Sequence, residues 1–195
     1  VWLILAPRDY LSTFLKIGTI IALAIGILVV MPDMKMPALT EFASTGMGPV
    51  WKGGLFPFLF ITIACGAVSG FHALISSGTT PKLLASESHT RYIGYGGMLM
   101  ESFVAIMALV AASVIEPGVY FAMNSPAALV GSDVQSVATA VSSWGFTITP
   151  GELEAVAADI GEHTILARAG GAPTLAVGIA QILHQVLPGE NTMAF

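Results

Sequence analysis

Three long segments of the chain are almost entirely apolar. They cover about residues 11–31, 54–75 and 92–115. Each is long enough to cross a lipid bilayer, since a membrane-spanning helix needs about 20 residues. The first segment ends before Pro32, a residue that stops helices. The pattern predicts an all-α fold: a bundle of transmembrane helices in which the chain crosses the membrane about three times.

The pattern changes after the third segment. Residues 118–148 are small, polar and poor in charge, with turn signals at residues 124–126 and 131–133. Thr149-Pro150-Gly151-Glu152 predicts the start of an amphipathic helix that runs to about Glu162, with Thr149 as N-cap and Glu152 completing a capping box.

A last apolar stretch covers about residues 174–187 and follows the Gly-rich break at 170–173. It is too short to span a bilayer, and it contains Gln181, His184 and Gln185. We expect a re-entrant or short amphipathic helix packed against the rest of the protein.

Composition supports a membrane protein and excludes several other classes. Hydrophobic residues make up 55% of the chain and charged residues 10%, whereas ordinary soluble domains are roughly one quarter charged. The net charge of -5 comes without a basic patch, so we expect no nucleic-acid partner. The apolar N-terminus lacks the features of a signal peptide, and we interpret the chain as an internal fragment of a longer membrane protein.

The distribution of basic residues predicts an orientation. No Lys or Arg occurs between residue 116 and Arg168, whereas Lys82 and Arg91 lie between the second and third segments. Because cytoplasmic loops are enriched in basic residues, residues 116–167 are predicted to be extracytoplasmic. Lys35 and Lys52 in the first loop weaken this prediction.

Polar residues of the second segment recur at helical spacing. They fall on one side of a regular helix, and lipid would leave them without hydrogen-bond partners. The members of this polar stripe are Thr62, Cys65, Ser69, His72 and Ser76. Two interpretations stay open: a seam between helices, or part of a transport path. We favour the seam for Thr62 and Cys65, whereas His72 fits either, because an imidazole titrates near neutral pH.

Small residues predict close packing between helices. They recur at spacings of three or four residues in all three segments, at Gly18, Ala22 and Gly26, at Gly66 and Gly70, and at Gly94 and Gly97.

The third segment contains a single acid, Glu101, on the same helix face as Gly94 and Gly97. A carboxyl group in a low-dielectric environment can carry a proton. The alternatives are that Glu101 pairs with a cation from a helix outside this chain, or that it lies near the membrane edge. A partnership between His72 and Glu101 is also compatible with the sequence.

The connection after the second segment, Ser76 to Lys82, contains four hydroxyl groups: Ser76, Ser77, Thr79 and Thr80. Such a sequence suits an unwound helix that coordinates a carboxylate or an ion. The simpler alternative, favoured by composition, is a cytoplasmic turn ended by Pro81.

Nothing in the sequence indicates an enzyme. There is no Gly-x-Ser-x-Gly or His-Glu-x-x-His motif, and the histidines at 72, 89, 163 and 184 are scattered. We therefore expect no catalytic residues, no metal and no cofactor. A nutrient sensor or assembly subunit without transport activity remains an alternative to a transporter.

Four stretches resemble the carbon starvation protein CstA family. They are APRDYLSTFLKIG from Ala6, FPFLFITIACGAVSGFHALISSGTTPK from Phe56, RYIGYGGMLMES from Arg91 and ARAGGAPTLAVGIA from Ala167. The last has Ala169 where the family pattern has Thr. Residues 124–144 show no recognisable pattern.

The resemblance implies a central fragment, residues 1–195, of one transporter domain in a longer, inverted-repeat-type protein of the bacterial inner membrane. Such a protein would import peptides or pyruvate during carbon starvation as a proton symporter, and its partners would be the substrate, protons, lipid and the remaining spans. His72 and Glu101 would then couple protons, and Arg8, Lys82 or Arg168 would attract the anion. The substrate path would be lined by Ser69, Ser76, Ser77, Thr79 and Thr80.

Overall fold

The computed structural model describes residues 2–68 and 70–186, and in that part of the chain every regular element is a helix. The helices are α1 (Trp2–Val30), α2 (Phe42–Thr45), α3 (Leu55–Ala67), α4 (Gly70–Leu74), a π-helical segment (Ile75–Thr79), α5 (Thr80–Leu83), α6 (Ser88–Val114), α7 (Pro117–Asn124), α8 (Ala127–Val130), α9 (Val134–Ser143), α10 (Pro150–Asp159) and α11 (Gly171–Val186). The predicted all-α class is confirmed.

Three helical stretches are long and apolar enough to cross a membrane: Tyr10–Val30, Leu55–Leu83 and Ser88–Val114. Each of them overlaps one of the predicted segments, and the first ends directly before Met31 and Pro32, as predicted. Met31, directly before that proline, has φ 43°, a left-handed conformation that breaks the helix.

The second span is longer than predicted. The turn expected at residues 76–82 is absent, because Ile75–Thr79 forms a π-helical segment and Thr80–Leu83 continues as α-helix. Pro81 does not end the helix. It occupies the first turn of α5, where its missing N–H and fixed φ are tolerated.

The second span is also interrupted earlier. α3 ends at Ala67, and Val68 has φ -122° and ψ 23°, outside the α-helical range. Ser69 lies outside the described residues. The polar stripe was predicted on the assumption of one regular helix, so a shared face is supported only within α3 and within α4.

The chain divides into two compact units, of which one comprises Ala38–Ala105. In this unit the Trp51 and Phe58 rings stack with centroids 4.1 Å apart, which anchors the preceding loop on α3. No residue of α3 is buried. Its large apolar side chains are therefore available to lipid or to other helices.

The other unit contains a buried core that the sequence did not reveal. Residues 118–148, predicted as a small, polar region with turns, are largely helical and contribute to α7, α8 and α9, and the predicted helix α10 follows. Buried side chains from all four helices form the core, among them Phe121, Val130, Val137, Val141 and Leu153. The turn signals at 124–126 and 131–133 were correct, since they separate α7, α8 and α9.

The predicted helix start at Thr149 is confirmed in detail. The Thr149 hydroxyl accepts from the Glu152 N–H at 3.3 Å, and the Glu152 carboxylate accepts from the Thr149 N–H at 2.7 Å. α10 ends at Asp159, three residues before the predicted end, and buries Leu153 and Ala157.

α11 is the predicted short helix, and it packs against α1 and α6. A Cβ atom at Gly26 of α1 would lie 3.2 Å from Ile182 Cγ2, so the small residue there allows the close approach that its spacing predicted. Gly18 has no neighbour within 4 Å. Gly178 of α11 faces the Ala111 carbonyl of α6 even more closely. Leu187, the last residue of the predicted stretch, lies outside the described residues.

The N-cap of α9 makes the stability of this helix start depend on pH in the acid range. The Asp133 carboxylate accepts from the Ser136 hydroxyl and from the Ser136 N–H at 2.9 Å, and these bonds lower the pKa of the Asp133 carboxyl below its ordinary 3.8. A depressed folded-state pKa contributes stability that is present above the unfolded pKa and is lost as pH falls through the folded one.

We therefore expect Asp133→Ala to lose hydrogen-exchange protection in the first turn of α9 at neutral pH. Asp133→Asn should keep the cap, because an amide oxygen accepts the same bond, and it should make protection independent of pH below 3.8. Amide exchange followed by mass spectrometry measures both. Equal protection in Asp133→Ala and wild type at neutral pH would show that this cap does not hold the helix.

Candidate functional site

His72 and Glu101 come from different membrane spans and meet. α4 carries His72 within the span Leu55–Leu83, and α6 carries Glu101 near the middle of Ser88–Val114. The His72 Nε2 atom lies 3.4 Å from Glu101 Oε1. The partnership that the sequence left open is therefore present in the structure.

The exposure of the His72 and Glu101 side chains determines what can surround this pair. The two side chains are 57% and 69% exposed within the chain. In lipid, an ionised pair so exposed would carry a large desolvation penalty, so these groups must face protein or water. An imidazole beside a carboxylate can accept a proton and remain electrostatically compensated, and the carboxyl can take the proton instead.

The glycines beside this pair leave open space. A Cβ atom added at Gly66, Gly70, Gly94 or Gly97 would meet no atom within 4 Å. Close helix packing at these four glycines therefore stays a prediction.

The hydroxyl-rich end of the second span lies on the same stretch of helix as His72. Ser76 and Ser77 are exposed, and both hydroxyls donate to the Ala73 carbonyl, at 3.1 and 2.7 Å. Thr79 and Lys82 are exposed and Thr80 is half-buried. The structure thus groups these five candidates next to the π-helical segment; Ser69, the sixth, lies outside the described residues.

Arg168 is already engaged by a carboxylate. Its guanidinium nitrogens donate to Glu162 at 2.8 and 3.1 Å in a bidentate pair. A substrate anion attracted by Arg168 would have to compete with Glu162, because the Glu162 carboxylate compensates the charge of the guanidinium.

Sequence reasoning missed a buried polar cluster that fixes the start of α11. The Asn124 side-chain Nδ2 donates to Thr174 Oγ1 at 3.1 Å, and the Asn124 side-chain Oδ1 accepts from the Gly170 N–H at 3.0 Å. Thr174 in turn donates to the Gly170 carbonyl at 2.8 Å. A lone Asn after an apolar run reads as a turn former, and its partner is fifty residues away in sequence, so no local signal could have found the cluster.

Within residues 2–68 and 70–186, no group of three His, Cys, Asp or Glu side chains could hold a metal ion.

The family model for carbon starvation protein CstA matches residues 1–195. The chain belongs to the CstA family. The resemblance carried by the four sequence stretches is thereby confirmed, and together with the three apolar helices it identifies a membrane protein.

Curated members of the CstA family are similar over nearly the whole chain. It is 68% identical to the peptide transporter CstA of Escherichia coli K12, covering 100% of this chain and 28% of that protein. It is 64% identical to the pyruvate/proton symporter BtsT of the same organism, covering 96% and 29%. The peptide transporter CstA of Mycobacterium tuberculosis H37Rv is 54% identical, with 100% and 26% covered.

The names of these CstA-family relatives are those of transporters rather than enzymes. The chain spans less than one third of the length of each. No solved structure matches the chain significantly.

Proposed function

We propose that this chain is the central part of a secondary transporter that imports a small carboxylate nutrient, a short peptide or pyruvate, together with protons. The observation that carries the proposal is the 3.4 Å approach of His72 to Glu101 between two membrane spans. Its relatives support the substrate classes, since one is named a pyruvate/proton symporter and others peptide transporters.

The pair gives a physical basis for coupling. In the low dielectric of a membrane, the free energy of a carboxylate depends strongly on whether a cation or a proton neutralises it. A proton that binds a neutral imidazole beside the carboxylate creates an attraction between two opposite charges. A proton that binds the carboxylate of an imidazolium–carboxylate pair removes that attraction. Either change alters the interaction between the two spans, which a transporter can link to opening on one side.

The same proposal places the protein in the membrane. The full-length protein would be a multi-pass protein of the bacterial inner membrane that acts during carbon starvation. Residues 116–167, which fold as α7 to α10, would lie outside the cytoplasm, and the connection between α5 and α6 inside. The remaining spans of the full-length protein would cover the polar and glycine-lined faces of α3, α4 and α6.

Uptake by the reconstituted full-length protein tests this function. Vesicles with an inward proton gradient should concentrate labelled pyruvate or a labelled dipeptide above the external level. Collapsing the gradient with a protonophore should reduce uptake to equilibration. Uptake that is indifferent to the gradient contradicts the coupling, and uptake of neither substrate contradicts the transport function.

A further inference from the structure

The π-helical segment contains a carbonyl group that has lost its helical donors. The N–H of Thr80 donates to the Ile75 carbonyl, a bond across five residues. In a helix, the Ser76 carbonyl can accept from the N–H four or five residues ahead, at positions 80 and 81. The first is directed to Ile75, and the second is Pro81, which has no N–H. The Ser76 carbonyl oxygen therefore receives neither donor.

A carbonyl group inside a membrane span needs a hydrogen-bond donor as its partner. The segment belongs to the candidate span Leu55–Leu83, and a backbone group without a partner costs several kcal/mol in hydrocarbon. Non-helical hydrogen bonding persists in membrane spans where the backbone is buried in protein or lines a water-filled cavity. π-helical turns inside α-helices are frequent at functional sites.

The neighbouring hydroxyls have the same polarity. Ser76 and Ser77 both donate their hydroxyl protons to the Ala73 carbonyl. A hydroxyl that donates inward presents only lone pairs to a ligand. The side chains and the free carbonyl therefore offer acceptors and no donor.

This polarity determines which ligand fits. The sequence allowed either a carboxylate or an ion as the ligand of this segment. A carboxylate accepts hydrogen bonds and finds no donor in the Ser76 and Ser77 hydroxyls, which both donate to the Ala73 carbonyl. An ammonium group carries three N–H donors and one positive charge, which match several oxygen acceptors. Pyruvate has no such group, whereas a peptide has one at its N-terminus.

Lys82 supplies the opposite polarity a short distance away. It lies six residues after Ser76, about 9 Å along a helix axis at 1.5 Å per residue. An extended dipeptide spans about 7 Å. Six residues at about 100° each place Lys82 about 120° round the helix from Ser76, so its exposed, flexible stem has to bend towards the Ser76 side. The two ends of a zwitterionic peptide thus find acceptors and a cation on one stretch of helix.

We propose that the acceptor site formed by Ser76, Ser77 and the free Ser76 carbonyl binds the N-terminal ammonium group of a short peptide, with Lys82 receiving its carboxylate. This inference rests on the proposed function in taking a peptide as substrate. It also names which of the two substrate classes uses this part of the span.

Equilibrium binding tests the site independently of transport. The purified full-length protein is titrated with labelled Ala-Ala, N-acetyl-Ala-Ala and pyruvate, as wild type, as the double variant Ser76→Ala/Ser77→Ala, and as Pro81→Ala. The double variant removes both hydroxyl acceptors, and Pro81→Ala supplies an N–H that competes for the freed carbonyl. Each should raise the Kd for Ala-Ala about tenfold, as expected for hydrogen bonds to a charged group.

The controls separate the site from general damage to the helix. Thr62→Ala removes a hydroxyl that donates to the Phe58 carbonyl at 2.9 Å in regular α-helix, and it should leave the Kd for Ala-Ala unchanged. N-acetyl-Ala-Ala should bind at least tenfold more weakly than Ala-Ala to wild type, and pyruvate binding should not respond to any of the substitutions. Monodisperse elution of each variant shows that it is folded.

Several results would overturn the proposal. They are a Kd for Ala-Ala within twofold of wild type in both variants, equal binding of the acetylated peptide, or no binding of Ala-Ala by wild type. If Na⁺ displaces Ala-Ala from wild type but not from the variants, and choline displaces it from neither, the Ser76 and Ser77 oxygens bind an alkali ion instead of the peptide. Failure of the proposed function appears separately, as binding without proton-driven uptake.

Discussion

Glu101→Gln is expected to abolish concentrative uptake while leaving equilibration of the substrate across the membrane. The amide keeps the shape of the side chain but cannot take up or release a proton, so position 101 no longer contributes to proton coupling. With one proton per substrate, a gradient of one pH unit is worth about 1.4 kcal/mol, or about tenfold accumulation. The variant should fall from about tenfold to no accumulation.

The measurement is labelled-substrate uptake into vesicles with an imposed pH gradient, compared with uptake without one. Glu154→Gln is a matched control, because it makes the same chemical change at an exposed position of α10, outside the three candidate spans. It should accumulate substrate like wild type. Full accumulation by Glu101→Gln would remove Glu101 from the coupling mechanism.

Gly178→Val is expected to destabilise the protein by about 3 kcal/mol, the upper range for overpacking a tight contact. A Cβ atom at Gly178 would lie 2.6 Å from the Ala111 carbonyl carbon and 3.1 Å from Ala111 Cβ. The obstacle is helix backbone, which cannot turn aside like a side chain. α11 must therefore shift relative to α6 at this point, which disturbs the packing around Gly178, a buried position of α11.

Thermal unfolding of the purified full-length protein, followed by intrinsic fluorescence, measures this effect. Gly171→Val is the matched control, since it lies in the first turn of the same helix and has no neighbour within 4 Å. A large drop in unfolding temperature is expected only for Gly178→Val. Equal unfolding temperatures for the two variants would contradict the close packing of α11 on α6.

The three spans could be predicted from sequence because apolar length alone defines them. Hydropathy does not depend on tertiary context, and both the first and third segments end within a few residues of the observed helices. The capping box at Thr149 was equally predictable, since all its hydrogen bonds are local.

The end of the second span could not be predicted in the same way. Ser, Gly, Thr and Pro between positions 76 and 81 are common in turns, so composition favoured a break. The backbone instead widens into a π-helical segment, which accommodates Pro81 without ending the helix. Composition does not distinguish a turn from a wide helical turn.

The helices of residues 118–148 were missed although one signal was present. Val134, Val137 and Val141 recur at spacings of three and four residues, and the last two are fully buried. The small polar residues between them obscured this periodicity. The partners of Gly178 and Asn124 lie far away in sequence and give no local signal at all.

The candidate site was predictable in its members but not in its geometry. Ionisable residues are costly inside apolar spans, which singled out His72 and Glu101. Their distance depends on the packing of two helices. The helical wheel assumed one regular helix across Val68, where α3 in fact ends. The donor polarity of Ser76 and Ser77 likewise required the coordinates.

The central claim is that protons enter with the substrate through the pair formed by His72 and Glu101. Its most direct test is proton movement itself, recorded with a pH-sensitive dye inside vesicles that contain the full-length protein. With no imposed gradient, adding external substrate should acidify the interior in wild type and in Glu154→Gln, and should leave it unchanged in Glu101→Gln. Equal acidification in Glu101→Gln, or none in wild type, would contradict the account.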